Sequence, residues 1–347
     1  MTYCGGSMAK GKLFSGGETG EILQHDGAPF KGQGQTIEKF PGEFINAMDI
    51  CHRTNRLYVG TSGKKLAVFN TETGEKISQA EGVHGKSVMA VAALSEAHSA
   101  DVATCSSDNT VKLWSLNAET NELKEEATLR QVDSEEEDVS RQALGMVCFE
   151  QEGVQHTILV NLSGDLVEFE NGVRKETIYG SKDFIDSVHV SKDGSVYYSS
   201  ETQVFKLVGG VATRVSGVTS KSKMPVLKSN EQAVYAASST GCVLRISDVE
   251  VTATQQLADL VVEDITLSEE SVFAVTNRKD LIELDATTLE EKRRQTLAYD
   301  PFCIALVKTQ GELWIGDKKG KMHILAADSL EEKSEFEAAQ MASLQCL

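Results

Sequence analysis

The chain has 347 residues, 40% hydrophobic and 25% charged, with a formal net charge of −18. So acidic a surface opposes attachment to phosphate backbones and anionic lipid, and no apolar run approaches the ~18 residues of a membrane helix. The seven cysteines are scattered, odd in number and never in C-x-x-C spacing, so they read as free core thiols rather than as a disulfide framework or a zinc site.

Four prolines beside 28 glycines fit many short strands joined by tight turns. Residues 1–11 carry no signal-peptide pattern, and Gln345-Cys346-Leu347 is no prenylation box, so a cytosolic address and a flexible N-terminus are expected. The run Gly6-Ser7-Met8-Ala9-Lys10-Gly11-Lys12 has the spacing of a phosphate-binding loop. Leu13, however, stands where a metal-binding Ser or Thr is required, and no apolar strand precedes it. Lys12 to Leu23 then supplies two strands and a turn with no strand before them.

From Phe44 onward a repeat of roughly 40 residues sets in, the period expected of a propeller. Its first strands are Phe44 to Ile50, Val88 to Leu94, Ala143 to Phe149, Ile185 to Val190, Pro225 to Lys228, Val262 to Leu267 and Phe302 to Val307. Each is followed by a second strand, a Gly, Asp or Asn turn, and a third strand, which makes seven full units. A polar fourth strand follows weakly, as at Lys76 to Gln79, Ala127 to Gln131 and Lys175 to Ile178, and suits an exposed edge. Asn117 to Val139 is an acidic insertion, expected to be a solvated loop and carrying Ser134 as a candidate phosphorylation position. Ala342 to Leu347 looks like a first strand with nothing after it. Paired with the Lys12 to Leu23 half, it would give a blade shared between the termini and a closed ring of eight.

The second of these units carries the most informative residues. Val83-His84-Gly85 precedes a strand, Ser107-Asp108-Asn109 forms the polar turn, and Val111 to Ser115 alternates through Trp114. This order resembles a WD40 repeat, in which His84, Thr104 (or Ser106), Asp108 and Trp114 would form a structural hydrogen-bonded tetrad. Phe69, Phe169, Leu207, Ile246, Leu284 and Leu325 occupy the Trp114 position elsewhere, so the packing role persists where the tetrad does not. The expected fold is therefore all-β, a WD40-type β-propeller over 12–347.

A narrower resemblance runs along most of the chain. Gly27-Ala28-Pro29-Phe30-Lys31, then Phe44-Ile45-Asn46, Asn70-Thr71-Glu72-Thr73-Gly74-Glu75-Lys76, and Gln142-Ala143-Leu144-Gly145 with Ser163-Gly164 are similar to segments of the actin-interacting protein 1 family. That resemblance implies two tandem seven-bladed propellers that bind actin filaments together with cofilin and promote disassembly. The present chain is shorter and matches the middle of the pattern, with a change of propeller expected near Lys182 to Phe184. It would form either one closed ring or two open arcs. Carried over, the actin-binding positions are Glu18, Phe30 and Phe44. Gly32 stands where the family has a second aromatic. The resemblance implies partners in actin filaments and cofilin, a place in the cytoplasm at the actin cytoskeleton, no cofactor and no metal. The seven histidines occur singly, without metal-ligand spacing, and no catalytic constellation can be named, so the expectation is a non-enzymatic interaction protein. A general WD40 scaffold for another complex is the alternative.

Overall fold

A computed structural model describes residues 5–9, 12–26, 34–94, 100–130, 143–161, 163–178, 184–208, 210–257 and 260–337. Among these residues the strands assemble into eight four-stranded sheets, each built from consecutive strands. The chain divides into two compact units, one built on Met1–Tyr179 and the other on Gly180–Phe336. The first unit holds the sheets over 5–39, 45–81, 88–130 and 143–178. The second holds those over 185–214, 226–256, 262–296 and 301–337.

Alternation along each strand explains why the sheets stack. Side chains of period two point to both faces of a blade, so a blade lying between two others needs apolar residues on both. The second strands satisfy this throughout: Val102–Ser106, Val196–Ser200 and Ser271–Thr276 are buried at every position. Within the first unit, one cluster joins Phe14, Ile22 and Phe40 to Ile45, Leu57 and Phe69, and another joins Tyr58 and Val68 to Val88 and Trp114. In the second unit, Tyr235 and Val243 pack with Ile265 and Ile282, and Phe273 and Leu281 with Ile304 and Leu313. At about 1.5 to 3 kcal/mol for each large side chain removed from water, these interleaved faces are the main stabilising contribution. The Trp114-equivalent positions Phe69, Phe169, Ile246, Leu284 and Leu325 are all buried. Leu207 is only half-buried.

First strands are also latched by polar side chains. Asn46 donates to the Val88 carbonyl at 2.8 Å, and the Asp49 carboxylate accepts from the Ala93 amide at 2.8 Å. In the second unit Asp264 accepts from the Ile304 amide at 3.0 Å, and Thr266 Oγ1 from the Leu306 amide at 3.0 Å. Burial pushes both Asp49 and Asp264 above the ordinary carboxylate range, although the amide hydrogen bonds work against that shift.

Three expectations need correction. The N-terminal blade is completed not by the C-terminus but by Gly5–Ala9, which pairs antiparallel with Lys12–Gly16 in the register Gly5 to Gly16 and Ala9 to Lys12. Gly5-Gly6-Ser7-Met8-Ala9 has one large apolar residue and so no readable alternation, but backbone pairing needs no side chains. The expected flexible N-terminus is thus partly strand; residues 342–347 lie outside the described residues. The same pairing counts against the phosphate-loop reading, because Gly6 to Ala9 are strand and the Lys12 ammonium is engaged by Asp26 at 3.2 Å and by the Glu72 carbonyl. Finally, the acidic insertion is not all loop. Leu123–Arg130 is the fourth strand of its blade, with Lys112 paired to Glu125 at 2.7 Å. Ser134 falls outside the described residues.

Candidate functional site

The third blade brings His84, Thr104, Asp108 and Trp114 together. Thr104 and Trp114 lie on neighbouring strands, Val102–Ser106 and Thr110–Leu116, while His84 precedes the first strand and Asp108 sits in the turn between the other two. Trp114 Nε1 donates to Thr104 Oγ1 at 2.9 Å, and Thr104 Oγ1 lies 2.8 Å from His84 Nε2. A hydroxyl that already accepts from Trp114 has one proton to give. Giving it to His84 Nε2 leaves the proton of the neutral imidazole on Nδ1, facing Thr110 Oγ1 at 2.9 Å and Asp108 Oδ2 at 3.3 Å. Asp108 also accepts from the Gly85 amide at 2.6 Å and from Thr110 Oγ1 at 2.6 Å. Burial alone would raise this carboxyl; the hydrogen bonds from His84, Thr110 and Gly85 outweigh it and hold Asp108 far below the ordinary range. Every polar atom of the cluster faces another, so its chemistry is spent inside the blade.

The eighth blade holds a second buried His–Asp pair that the sequence did not reveal. His323, on the strand Lys321–Ala326, is buried and places Nε2 3.4 Å from Oδ2 of Asp317, the last residue of the strand Glu312–Asp317. The signal was hidden because this histidine comes after its aspartate rather than before the first strand.

The three candidate partner residues behave differently. Glu18 is exposed, in the turn Gly17-Glu18-Thr19-Gly20. Phe44 is 45% exposed, immediately before the strand Ile45–Cys51 rather than within it. Its backbone is fixed from both sides: the Phe44 amide donates to Ser62 Oγ at 2.8 Å, and the Phe44 carbonyl accepts from the Ser62 amide at 3.0 Å. The Ile45 amide donates to the Gly17 carbonyl at 3.0 Å, which sets the Glu18 turn against the Phe44 segment. Gly20 makes that approach possible. It has φ of +70°, and a Cβ there would lie 2.3 Å from the Phe40 carbonyl oxygen and 2.5 Å from that of Glu43. The neighbouring Glu43 is occupied, by Lys65 at 2.7 Å and Thr61 at 2.6 Å. Phe30 and Gly32 lie outside the described residues.

A cleft of about 450 Å³ in the first unit is lined by Ile50 to Arg53, Ala93, Leu94 and Cys148 to Glu150 with Gln155. Burial pushes the Cys148 thiol up to about 11, so it stays protonated at neutral pH and is no nucleophile. Asn161, which opens the glycosylation-type pattern Asn161-Leu162-Ser163, is buried and its side-chain oxygen accepts from the Asp165 amide at 2.9 Å, closing a turn.

No family model matches the chain, and no curated relative matches its sequence. Solved structures do resemble it. Sqt1 of Saccharomyces cerevisiae superimposes with a TM-score of 0.71 at 10% identity, over 86% of both chains. The computationally designed Ika8 protein gives 0.69 at 16% identity, over 93% of this chain and 96% of its own. The C-terminal WD40 domain of Sif2 gives 0.68 at 10% identity, over 91% and 95%. The fold class is an all-β, eight-bladed β-propeller with WD40 neighbours. At these identities the likeness extends to the fold alone.

Proposed function

We propose that the chain is a non-enzymatic interaction protein of the cytoplasmic actin cytoskeleton, which binds actin filaments together with cofilin and promotes their disassembly. The supporting observation is the juxtaposition of an exposed Phe44 and an exposed Glu18, joined through the hydrogen bond from Ile45 to Gly17. An exposed ring on a rigid backbone supplies contact area at little entropic cost, and a neighbouring carboxylate orients the partner. These are two of the three positions that the resemblance to the actin-interacting protein 1 family singles out. Phe30 is the third and belongs to the same proposal.

The test is cosedimentation with cofilin-decorated filaments, run beside urea unfolding. Phe44→Ala and Glu18→Ala should each weaken pelleting by about tenfold, with unfolding midpoints close to wild type because neither side chain is buried. Wild-type protein that stays in the supernatant would overturn the reading. It would leave the general one, a WD40 scaffold for a different complex.

A further inference from the structure

We infer that the outer half of the eighth blade is a divalent-cation site, of the zinc class, formed by His323 Nδ1, Glu332 and Glu335. His323 Nδ1 lies 2.7 Å from Glu332 Oε1 and 3.7 Å from Glu335 Oε2, and the three ligand atoms all fall within 4.8 Å of one another. Four ligands about 2.0 to 2.2 Å from zinc in a tetrahedron stand roughly 3.3 Å apart. One carboxylate must therefore retreat by about half an ångström and the other advance by about as much. Both glutamate side chains are 42% and 54% exposed and free to do so, leaving the fourth position to water.

The far side of the ring makes this more than a cluster of acids. Asp317 Oδ1 accepts from the Lys319 and Lys321 amides, both at 2.8 Å, so its other oxygen, Oδ2, is left to take the Nε2 proton of His323 at 3.4 Å. That arrangement is the carboxylate–histidine support of metal sites: it holds the ring with Nδ1 facing the two glutamates. The Tyr299 ring, stacked on His323 with centroids 3.4 Å apart and planes 8° from parallel, holds the ring plane. At 2.7 Å from Glu332 Oε1, Nδ1 carries a proton that it donates to the carboxylate, and a bound cation would take that proton's place. Three carboxylates surround the imidazole, and the ammonium of Lys321 takes the other oxygen of Glu335 at 3.0 Å, leaving Oε2 directed at the ring. The carboxylates that hold this proton would hold a dication in its place. His156 with Glu168 and Glu170 has a similar ligand set, but among the described residues no carboxylate supports the far nitrogen of His156.

The experiment uses the whole chain, stripped with chelator and with accessible thiols alkylated, titrated with Zn²⁺ against a chromophoric competitor at pH 7.5. One saturable site per chain is expected, weakened about tenfold or more in Glu332→Gln and in Glu335→Gln, and unaffected in Glu168→Gln. Circular dichroism checks that the exposed glutamate variants remain folded, so the outcome does not depend on the buried His323. Absence of binding at about 100 μM zinc, undiminished binding in the Glu332→Gln/Glu335→Gln double variant, or loss only in Glu168→Gln would each overturn the assignment.

Discussion

Asp108 accepts from the Gly85 amide, the Thr110 amide and hydroxyl, and faces His84, so its removal strands several buried donors at once. Each buried group left unpaired costs about 1 to 3 kcal/mol, and Asp108→Ala should lower the urea midpoint accordingly. Asp193, exposed in a turn of the fifth blade, is the proper comparison and should change stability by no more than about 0.5 kcal/mol. Asp317 is not such a control. It is buried and tied to His323, so Asp317→Ala should also be costly. The depressed Asp108 pKa adds a pH signature. Because the folded value lies below the unfolded one of about 3.9, the carboxylate stabilises the fold above about pH 4, and that contribution disappears as the pH falls further. The stability gap between wild type and Asp108→Asn should therefore be widest near neutrality and narrow between pH 4 and pH 2. A gap that stays constant over that range would show that Asp108 is not held by its charge.

At the level of the element, the turn before each third strand decides how one blade meets the next. Gly20 and Gly241 hold equivalent turns with φ of +70° and +81°, and at each a Cβ would collide with two carbonyl oxygens: Phe40 and Glu43 at Gly20, Leu257 and Leu260 at Gly241. Gly42 has φ of +74° but nothing within 4 Å. Gly42→Ala should cost only the left-handed penalty of about 1 to 2 kcal/mol, and Gly20→Ala measurably more. Amide exchange at Ile45 should quicken in Gly20→Ala alone, since that amide is bonded to the same turn. These turns also show what the sequence made legible. Period-two alternation and Asp or Gly turns revealed seven first strands, because a strand packed on both faces must be apolar. They could not reveal Gly5–Ala9, whose pairing is carried by backbone alone, nor the latches at Asn46, Asp49 and Asp264, where a polar residue inside an apolar run looks like noise. Of the candidate surface, Glu18 and Phe44 were readable only through resemblance. Exposure of an aromatic just ahead of a strand depends on where the strand begins, and that was one residue later than the alternation suggested.

Across the whole molecule, the charge of −18 and the proposed Glu18–Phe44 surface would act on different stages of an encounter. Long-range field governs how often partners meet, and it fades beyond a screening length of about 8 to 10 Å at physiological salt. A ring buried at the contact governs how long they stay. The proposed interface therefore makes a kinetic prediction that a core role for Phe44 does not. With immobilised cofilin-decorated filaments, Phe44→Ala should raise the dissociation rate about tenfold or more and leave association almost unchanged. Glu18→Ala should act mainly on association, and its effect should shrink as ionic strength rises from about 50 to 200 mM. If both substitutions instead reduce the active fraction without altering either rate, Phe44 and Glu18 support folding and do not touch the partner. If Glu18→Ala changes only dissociation, and does so at every salt concentration, the carboxylate makes a desolvated contact at the interface and its role in orienting the approach is excluded.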